Sequence, residues 1–377
     1  MQKLLCCLLL LATIGCKEKY IPKINDASAN LLVVDGVINA GTGPTTFRLS
    51  RTLKMVDTTQ YKAELRATVT VQGNDNSSQP LPDKGNGTYS ADQLTINPAR
   101  QYRLHIKTAN GKEYTSEYVP VKQTPVIDSV SWERTGKGVE IYANAHDATA
   151  NTRYYRWEYV ETWEYHSTVV AYYDYTVSNN RVFEIDPNAV NIFACWKTFP
   201  STNILVASTV ALSSDDIRKQ PIIQIPNNSE QLSVRYSVLL KQYALTAEAY
   251  DFFKIMKKNT EEIGGVFSPL PVEIRGNVRN TADPNELVIG FVAASTIEEK
   301  RLFINASQVP GWNYKFGCER WDVPNQPDSI KYYFEYRFRP YDALKNTSGG
   351  IISYMGITPE CRDCRLRKGV NVKPSFW

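Results

Sequence analysis

The chain has 377 residues, with 43 Lys and Arg against 39 Asp and Glu, three His, and a net charge of +4. Because the charges are interspersed rather than gathered into a basic stripe, the composition argues against nucleic acid as a partner. The length is enough for two or three domains, each with its own hydrophobic core. Abundant Tyr and scarce His are typical of aromatic-rich sheets rather than of a His-based catalytic site.

The beginning of the chain has the pattern of a secretory signal. Residues 1–15 have a positive start, an apolar run too short to span a bilayer permanently, and a small-residue end. Cys16 follows, as in a bacterial lipobox, and we expect acyl groups on Cys16 to anchor the chain in the lipid bilayer. An ordinary cleaved signal with a cysteine nearby by chance is the alternative. With acyl groups on Cys16, residues 16–29 would be a lipid-anchored tether, and its Lys17-Glu18 partly resembles signals that send lipoproteins to the cell surface.

Short strands dominate the next part of the chain. The apolar run LLVVDGVI at 31–38 predicts one strand. Residues 102–106 alternate apolar and polar up to the Asn110-Gly111 turn, which is the strongest short signal for a hairpin. Six or seven such strands within about a hundred residues indicate a β-sandwich. We therefore predict an N-terminal β-sandwich over residues 30–122.

A larger β-rich domain is predicted over residues 123–345, after a boundary marked by prolines. Thr246 can cap an amphipathic helix over residues 246–263, where apolar residues recur at helical spacing. The alternating aromatic residues of 332–338 predict a late strand. The fold class is therefore mainly β: two β-sandwich domains of immunoglobulin or fibronectin type, with one amphipathic helix in the second.

Four cysteines would accompany Cys16 in the mature chain: Cys195, Cys318, Cys361 and Cys364. An exported protein meets oxidising conditions, so two disulfides are expected, with three possible pairings. The two-residue spacing of Cys361 and Cys364 also occurs in redox motifs and in half zinc sites, but no second such pair exists. We favour a structural role, in which these two cysteines tie a C-terminal tail, residues 346–377, to the other two.

Aromatic residues recur at period two near the start of the predicted second domain, which puts them on one face of a long strand. One interpretation is a sheet core with cross-strand aromatic pairs. The other is an exposed platform for a saccharide, a peptide or a partner protein, since Tyr and Trp dominate such contacts. The candidate contact residues are Trp157, Tyr159, Trp163, Tyr172 and Tyr173.

Several short segments, in order, resemble one family. They include Arg235-Tyr236-Ser237, Ala247-Glu248-Ala249-Tyr250, Gly264-Gly265-Val266-Phe267 and the ending Lys373-Pro374-Ser375-Phe376-Trp377. The chain is similar, over essentially its whole mature length, to a Bacteroidota lipoprotein family known as domain of unknown function 4249. This resemblance implies an outer-membrane lipoprotein of a kind often encoded beside a TonB-dependent transporter, and we expect such a transporter to be its partner. It implies no catalytic residue.

Three tripeptides resemble the O-glycosylation acceptor that exported proteins of that phylum carry. The candidate acceptor residues are Thr58, Ser129 and Ser329.

Motifs that carry catalysis are missing from the sequence: it has no Gly-x-Ser-x-Gly elbow, no His-Glu-x-x-His helix and no phosphate-binding Gly-Lys-Ser loop. We predict no cofactor, no metal and no enzymatic activity. A hydrolase built from carboxylates stays open, because Asp and Glu can meet across the fold. The predicted function is a binding or accessory module that serves a transporter in nutrient uptake. The alternative is a structural or adhesive protein of the cell envelope.

Overall fold

A computed structural model describes residues 30–53, 62–261 and 274–377. Strands account for most of its regular structure, which confirms a mainly β chain with few helices. Within these ranges, no helix is both long enough and apolar enough to cross a membrane.

The elements of the described residues follow in chain order. The strands before residue 150 are β1 (Leu32–Asn39), β2 (Thr45–Arg51), β3 (Lys62–Ala63), β4 (Thr68–Gly73), β5 (Ser78–Leu81), β6 (Asp83–Gly85), β7 (Thr88–Ala91), β8 (Gln101–Lys107), β9 (Glu113–Ser116), β10 (Val119–Lys122), β11 (Ile127–Thr135) and β12 (Gly138–His146). The next are β13 (Tyr154–His166), β14 (Tyr173–Thr176), β15 (Arg181–Glu184), β16 (Ala194–Pro200), β17 (Leu205–Ser208), β18 (Asp216–Pro226), β19 (Arg235–Ala244), β20 (Val278–Asn280), β21 (Val288–Ile289), β22 (Ala293–Ser295) and β23 (Ile297–Asn305). The last strands are β24 (Arg320–Pro324), β25 (Arg339–Lys345) and β26 (Ile351–Ile357). The α-helices are α1 (Ala247–Glu261), α2 (Pro327–Tyr336) and α3 (Pro359–Arg362).

The first sheet contains 13 strands around one apolar core. It includes the hairpin predicted at Asn110-Gly111, which joins β8 to β9. Three of its strands, β20 to β22, come from the range 123–345, and β22 lies between β10 and β1. The sheet therefore takes strands from both sides of the predicted domain boundary. Hydrogen bonds between strands so distant in sequence leave no local pattern from which they could be predicted.

Two further sheets face each other and form a sandwich, which we call the second sandwich because it follows the first sheet. One has the order β11-β12-β18, and the other has the order β16-β13-β19-β23, with β17 also beside β13. Side chains from both sheets share buried clusters, in which Ile141 and Ile225 meet Trp163 and Tyr236. The apolar residues that alternate along these strands thus close a core between the sheets.

The last unit combines the β14–β15 hairpin, the sheet β24-β26-β25 and helix α2. The prediction of a strand over 332–338 is wrong, because residues up to Tyr336 belong to α2. Pro327 occupies its first turn, and Ile330 and Phe334, four residues apart, bury one helical face. Much of the predicted C-terminal tail is also regular: β26 is the central strand of its sheet.

Helix α1 confirms the predicted amphipathic helix, which ends at Glu261 within the described residues. The Ala249 backbone N–H donates to Thr246 Oγ1 at 3.3 Å, so Thr246 is the predicted N-terminal cap. Ala249, Phe252 and Phe253 are its buried residues. Their cluster contains Phe291 from the segment before β22, so α1 packs between the first sheet and the second sandwich.

We expect Gly290→Ala to lower the free energy of unfolding by about 2 kcal/mol. Gly290 has φ +141°, and a Cβ there would lie 2.1 Å from the Val34 carbonyl oxygen. The substitution would therefore push the segment between β21 and β22 away from β1. Urea unfolding measures the loss. Gly136→Ala is the control, because nothing lies within 4 Å of its Cβ position, and an equal loss there would contradict the steric explanation.

Candidate ligand-binding cleft

An open cleft separates the outer face of the first sheet from the second sandwich and α1. It consists of two adjoining cavities of about 520 and 460 Å³, which share Asp35, Arg48, Arg156 and Glu158 in their lining. Cavities of this size accommodate small organic ligands. The cleft is therefore the candidate functional site.

Two oppositely charged residues form what we call the charged floor: Asp35 on β1 and Arg48 on β2. They are directly opposite each other in the antiparallel pair. Their neighbours Val34, Phe47 and Leu49 are buried in the core of the first sheet. Because side chains alternate along a strand, Asp35 and Arg48 project outward into the cleft, where both are exposed.

The charged floor has no internal ion pair. Within the described part of the chain, neither Asp35 nor Arg48 makes a side-chain hydrogen bond or an ion pair within 4.0 Å. The walls of the cleft surround Asp35 even though solvent reaches it. This burial raises the pKa of its carboxyl group above the ordinary value, and the charge of Glu158 adds to the shift, although the positive charges of Arg156 and Arg48 oppose it. A ligand group could therefore approach either floor residue without breaking an existing contact.

The polar wall opposite the floor consists of Arg156, Glu158 and Tyr243. The Arg156 guanidinium pairs with the Glu158 carboxylate and lies over the Phe253 ring, 4.3 Å from its centroid. Tyr243 Oη donates to Glu158 Oε2 at 2.7 Å. Burial and the Glu158 charge both raise the pKa of Tyr243. The wall charges thus satisfy one another, in contrast to those of the floor.

One end of the cleft is apolar. Helix α1 supplies Phe252, Phe253 and Met256 to this apolar end, and Ile204, Ile289 and Phe291 complete it. The other end is lined by Tyr159, Lys241 and the segment around Ser201. Lys241 Nζ pairs with Glu299 Oε1 at 2.7 Å, so its charge is neutralised. A ligand in this cleft would meet charge in the middle and apolar side chains at one end.

The five predicted contact residues do not form one exposed platform. Trp157, Trp163 and Tyr173 are buried, and Tyr159 is half-buried; Tyr172 is 47% exposed. Trp157 Nε1 donates to Gln242 Oε1 at 2.8 Å, and Trp163 Nε1 donates to Glu230 Oε1 at 3.1 Å. The stripe on β13 is therefore mainly sheet core, the first of the two interpretations. Of the five, Tyr159 alone lines the cleft.

An exposed aromatic cluster lies elsewhere, on α2 and β24. Tyr332 and Tyr336 are 73% and 83% exposed, and Trp321 is 51% exposed with its ring stacked on Tyr333 at 5.7 Å. The sequence reasoning missed this cluster because it assigned a strand to these residues. The available signal was the spacing of Tyr332 and Tyr336, which puts them on one helical face once Pro327 is taken as a helix start.

The floor residues were also missed. Asp35 interrupts the apolar run LLVVDGVI and precedes Gly36. Gly36 has φ +152°, and a Cβ there would lie 2.5 Å from the Thr46 carbonyl oxygen. A lone carboxylate in a buried run, next to a glycine that permits close strand approach, was the signal for an outward-facing functional residue.

The cysteines form two disulfides, as predicted. Cys195 bonds to Cys364 and Cys318 bonds to Cys361, with S–S distances of 1.99 and 2.03 Å. Cys361 and Cys364 therefore belong to different bridges, and each ties the C-terminal segment to an earlier part of the chain. Within the described ranges, no group of three or more His, Cys, Asp or Glu residues is arranged to hold a metal ion.

The predicted modification sites have different positions. Cys16 and Thr58 lie outside the described residues. Ser129 is exposed on β11, where its hydroxyl accepts a hydrogen bond from Asn144 Nδ2 at 3.0 Å. Ser329 is half-buried within α2. Acylation and glycosylation stay predictions.

Taken together, these features define a mainly β protein with a disulfide-bonded C-terminal unit and a charged, partly apolar cleft between its sheets. The family described as domain of unknown function 4249 matches residues 17–301, and the chain belongs to this family. The match stops before β24, whereas the sequence resemblance was expected to reach the C-terminus. No curated protein matches the chain. Among 63 similar solved chains is a Salmonella alpha-2-macroglobulin variant, with 7% identity and a TM-score of 0.19, covering 90% of this chain and 17% of its own.

Proposed function

We propose that this protein is a non-catalytic binding module: a lipoprotein of the outer membrane, anchored through Cys16, that captures a nutrient for a TonB-dependent transporter. The observation that supports it is the cleft, whose charged floor offers Asp35 and Arg48 without partners of their own among the described residues. The cleft walls surround Asp35 although solvent reaches it, and a charge in such surroundings usually has a partner, because desolvation is costly. A pair of charges kept available beside apolar side chains fits a surface built to receive a ligand.

The position of the histidines also favours binding over catalysis. His146 and His166 each contact a nearby carboxylate, Asp128 and Glu164, at 2.8 and 2.7 Å. His105 lies 3.6 Å from Glu113. None of these three lines the cleft. The carboxylate-based hydrolase keeps one supporting observation, because Asp35 and Glu158 line the same cavity. A panel of glycoside, ester and peptide substrates would identify it, and turnover abolished by Asp35→Asn would replace the binding proposal.

We expect a TonB-dependent transporter to co-purify in stoichiometric amounts when the protein is extracted gently from its native membrane. The affinity tag belongs in the exposed turn at Gly136. A tag on the C-terminus would disturb Trp377, whose Nε1 donates to Glu164 Oε2 at 3.0 Å. Cys16→Ala is the control, because a chain without the anchor should lose both the membrane and the transporter.

Deletion of the protein should also reduce uptake of the transporter's cargo. A protein that purifies alone, in a strain whose nutrient uptake survives the deletion unchanged, would contradict the proposal. That result would favour a structural or adhesive role, for which the exposed aromatic cluster at Trp321, Tyr332 and Tyr336 is the available contact surface.

A further inference from the structure

We propose that the cleft recognises a zwitterion with an apolar side chain, of the kind presented by a short peptide with free termini. Asp35 would accept the ammonium group, Arg48 would bind the carboxylate, and the apolar end would receive the side chain. This inference rests on the proposed function, because it takes the cleft to be the binding site. It adds the chemical class of the ligand.

The two residues of the charged floor lie close together but do not pair with each other. Residues directly opposite each other in an antiparallel pair have Cβ atoms about 5 Å apart, close enough for Asp35 and Arg48 to pair. They nevertheless make no ion pair within 4.0 Å. The two side chains therefore lie on neighbouring strands with their opposite charges separated. A short peptide of one or two residues has its ammonium and carboxylate groups at a comparable separation.

Each floor residue can bind one of the two charged groups of a zwitterion. The Arg48 guanidinium can hold a carboxylate through two parallel N–H donors, which is the geometry that favours Arg at such sites. The Asp35 carboxylate offers only acceptors, which suits an ammonium group with its three donors. A neutral sugar could form hydrogen bonds with both floor residues, but it would bring no opposite charge to either of them.

The other charged side chains that line the cleft are already paired. Arg156 and Glu158 neutralise each other on the polar wall, and Lys241 is paired with Glu299. The remaining charges are those of the floor, one negative and one positive. A cleft with this balance has no net preference for a purely anionic or purely cationic ligand, whereas a zwitterion satisfies both floor residues at once.

The apolar end of the cleft would bind the side chain of the ligand. Phe252, Met256 and Phe291 surround a space continuous with the floor, since one cavity is lined by these residues together with Asp35 and Arg48. An apolar side chain placed there would leave water for an aromatic and aliphatic environment, which favours binding in proportion to the area buried. Leucine and phenylalanine side chains fit this chemistry, and a charged side chain would not.

The test is isothermal titration calorimetry on the full-length protein in detergent, with three probes. Leu-Phe with free termini is expected to bind at one site per chain. Acetyl-Leu-Phe-amide has the same side chains without the two charges and should bind at least tenfold more weakly. Cellobiose, a neutral saccharide, should not bind measurably. Asp35→Asn and Arg48→Gln should each weaken Leu-Phe binding at least tenfold, whereas Arg337→Gln, outside the cleft, should leave it unchanged.

The variants are expected to fold, because both floor side chains are exposed and make no hydrogen bond or ion pair with the residues that the structure describes. Thermal unfolding of each variant verifies this before titration. Equal affinity for the free and capped dipeptides would overturn the zwitterion inference and leave a binding cleft in place. Failure of Leu-Phe to bind, or binding of cellobiose instead, would overturn it as well. Co-purification of the transporter is independent of all three probes, so a failure of the proposed function can be distinguished.

Discussion

Replacing Cys195 and Cys364 together by alanine is expected to lower the free energy of unfolding by about 5 kcal/mol. The two cysteines are 169 residues apart in sequence, and their bridge constrains the unfolded chain over that entire loop. The shorter loop of Cys318 and Cys361, with a separation of 43 residues, predicts a loss of about 4 kcal/mol for the matched double variant. Guanidinium unfolding under oxidising conditions measures both losses.

The comparison between the two double variants tests the loop-entropy explanation. The longer bridge should be worth about 1 kcal/mol more than the shorter one. Adding a reductant to the wild-type protein should reproduce the combined loss, and it should leave a quadruple variant unchanged. If both double variants unfold at the wild-type denaturant concentration, the bridges contribute nothing to stability and the C-terminal unit is held by packing alone.

Local patterns were enough to predict several elements correctly. The hairpin at Asn110-Gly111 and the cap of α1 at Thr246 each depend on residues within one or two turns of chain, and both are present. The two disulfides followed from the four cysteines that would accompany Cys16 in a chain predicted to be exported. These features share one property, since the residues that decide them are either adjacent or chemically unique.

Features that depend on distant partners could not be predicted in the same way. Period two on β13 shows that Trp157 and Trp163 share a face, but the sheet that covers this face is formed by β11, β12 and β18. The first sheet likewise contains β22, far along the chain from β1. Such pairings cost loop-closure entropy that long-range burial must offset, and no short window of sequence records the outcome.

The run of aromatic residues before Phe338 shows a different ambiguity. Alternation at period two and spacing at four residues coincide, because Tyr332 and Tyr336 satisfy both patterns. Pro327 and the burial of Phe334 against β26 select the helix. The cleft was missed for a related reason: Asp35 and Arg48 belong to separate strands, and their register is set by the pairing of β1 with β2.

A partly buried ionic cluster around Glu230 supports the second prediction of large effect. Glu230 Oε1 accepts hydrogen bonds from Lys197 Nζ at 2.6 Å and from Trp163 Nε1 at 3.1 Å. Its Oε2 lies 3.2 Å from Tyr314 Oη and 3.3 Å from Arg367 Nη2. Burial alone would raise the pKa of Glu230, but the hydrogen bonds from Lys197 and Trp163 and the positive charges outweigh it, so the pKa is lowered.

Glu230→Gln is therefore expected to lower the free energy of unfolding at pH 7 by about 3 kcal/mol, because it leaves Lys197 and the buried Arg367 without their counter-charge. Since the folded-state pKa is depressed, the contribution of this carboxylate is complete above the unfolded pKa of about 4.3 and is lost as the pH falls through the folded pKa. The difference between wild type and variant, measured by urea unfolding from pH 7 to pH 3, should shrink accordingly.

Glu319→Gln is the control, because the pair of Glu319 with Arg337 is exposed on both sides, so its loss should leave the free energy of unfolding unchanged. A loss at Glu230 that is the same at every pH would show that shape rather than charge holds this cluster.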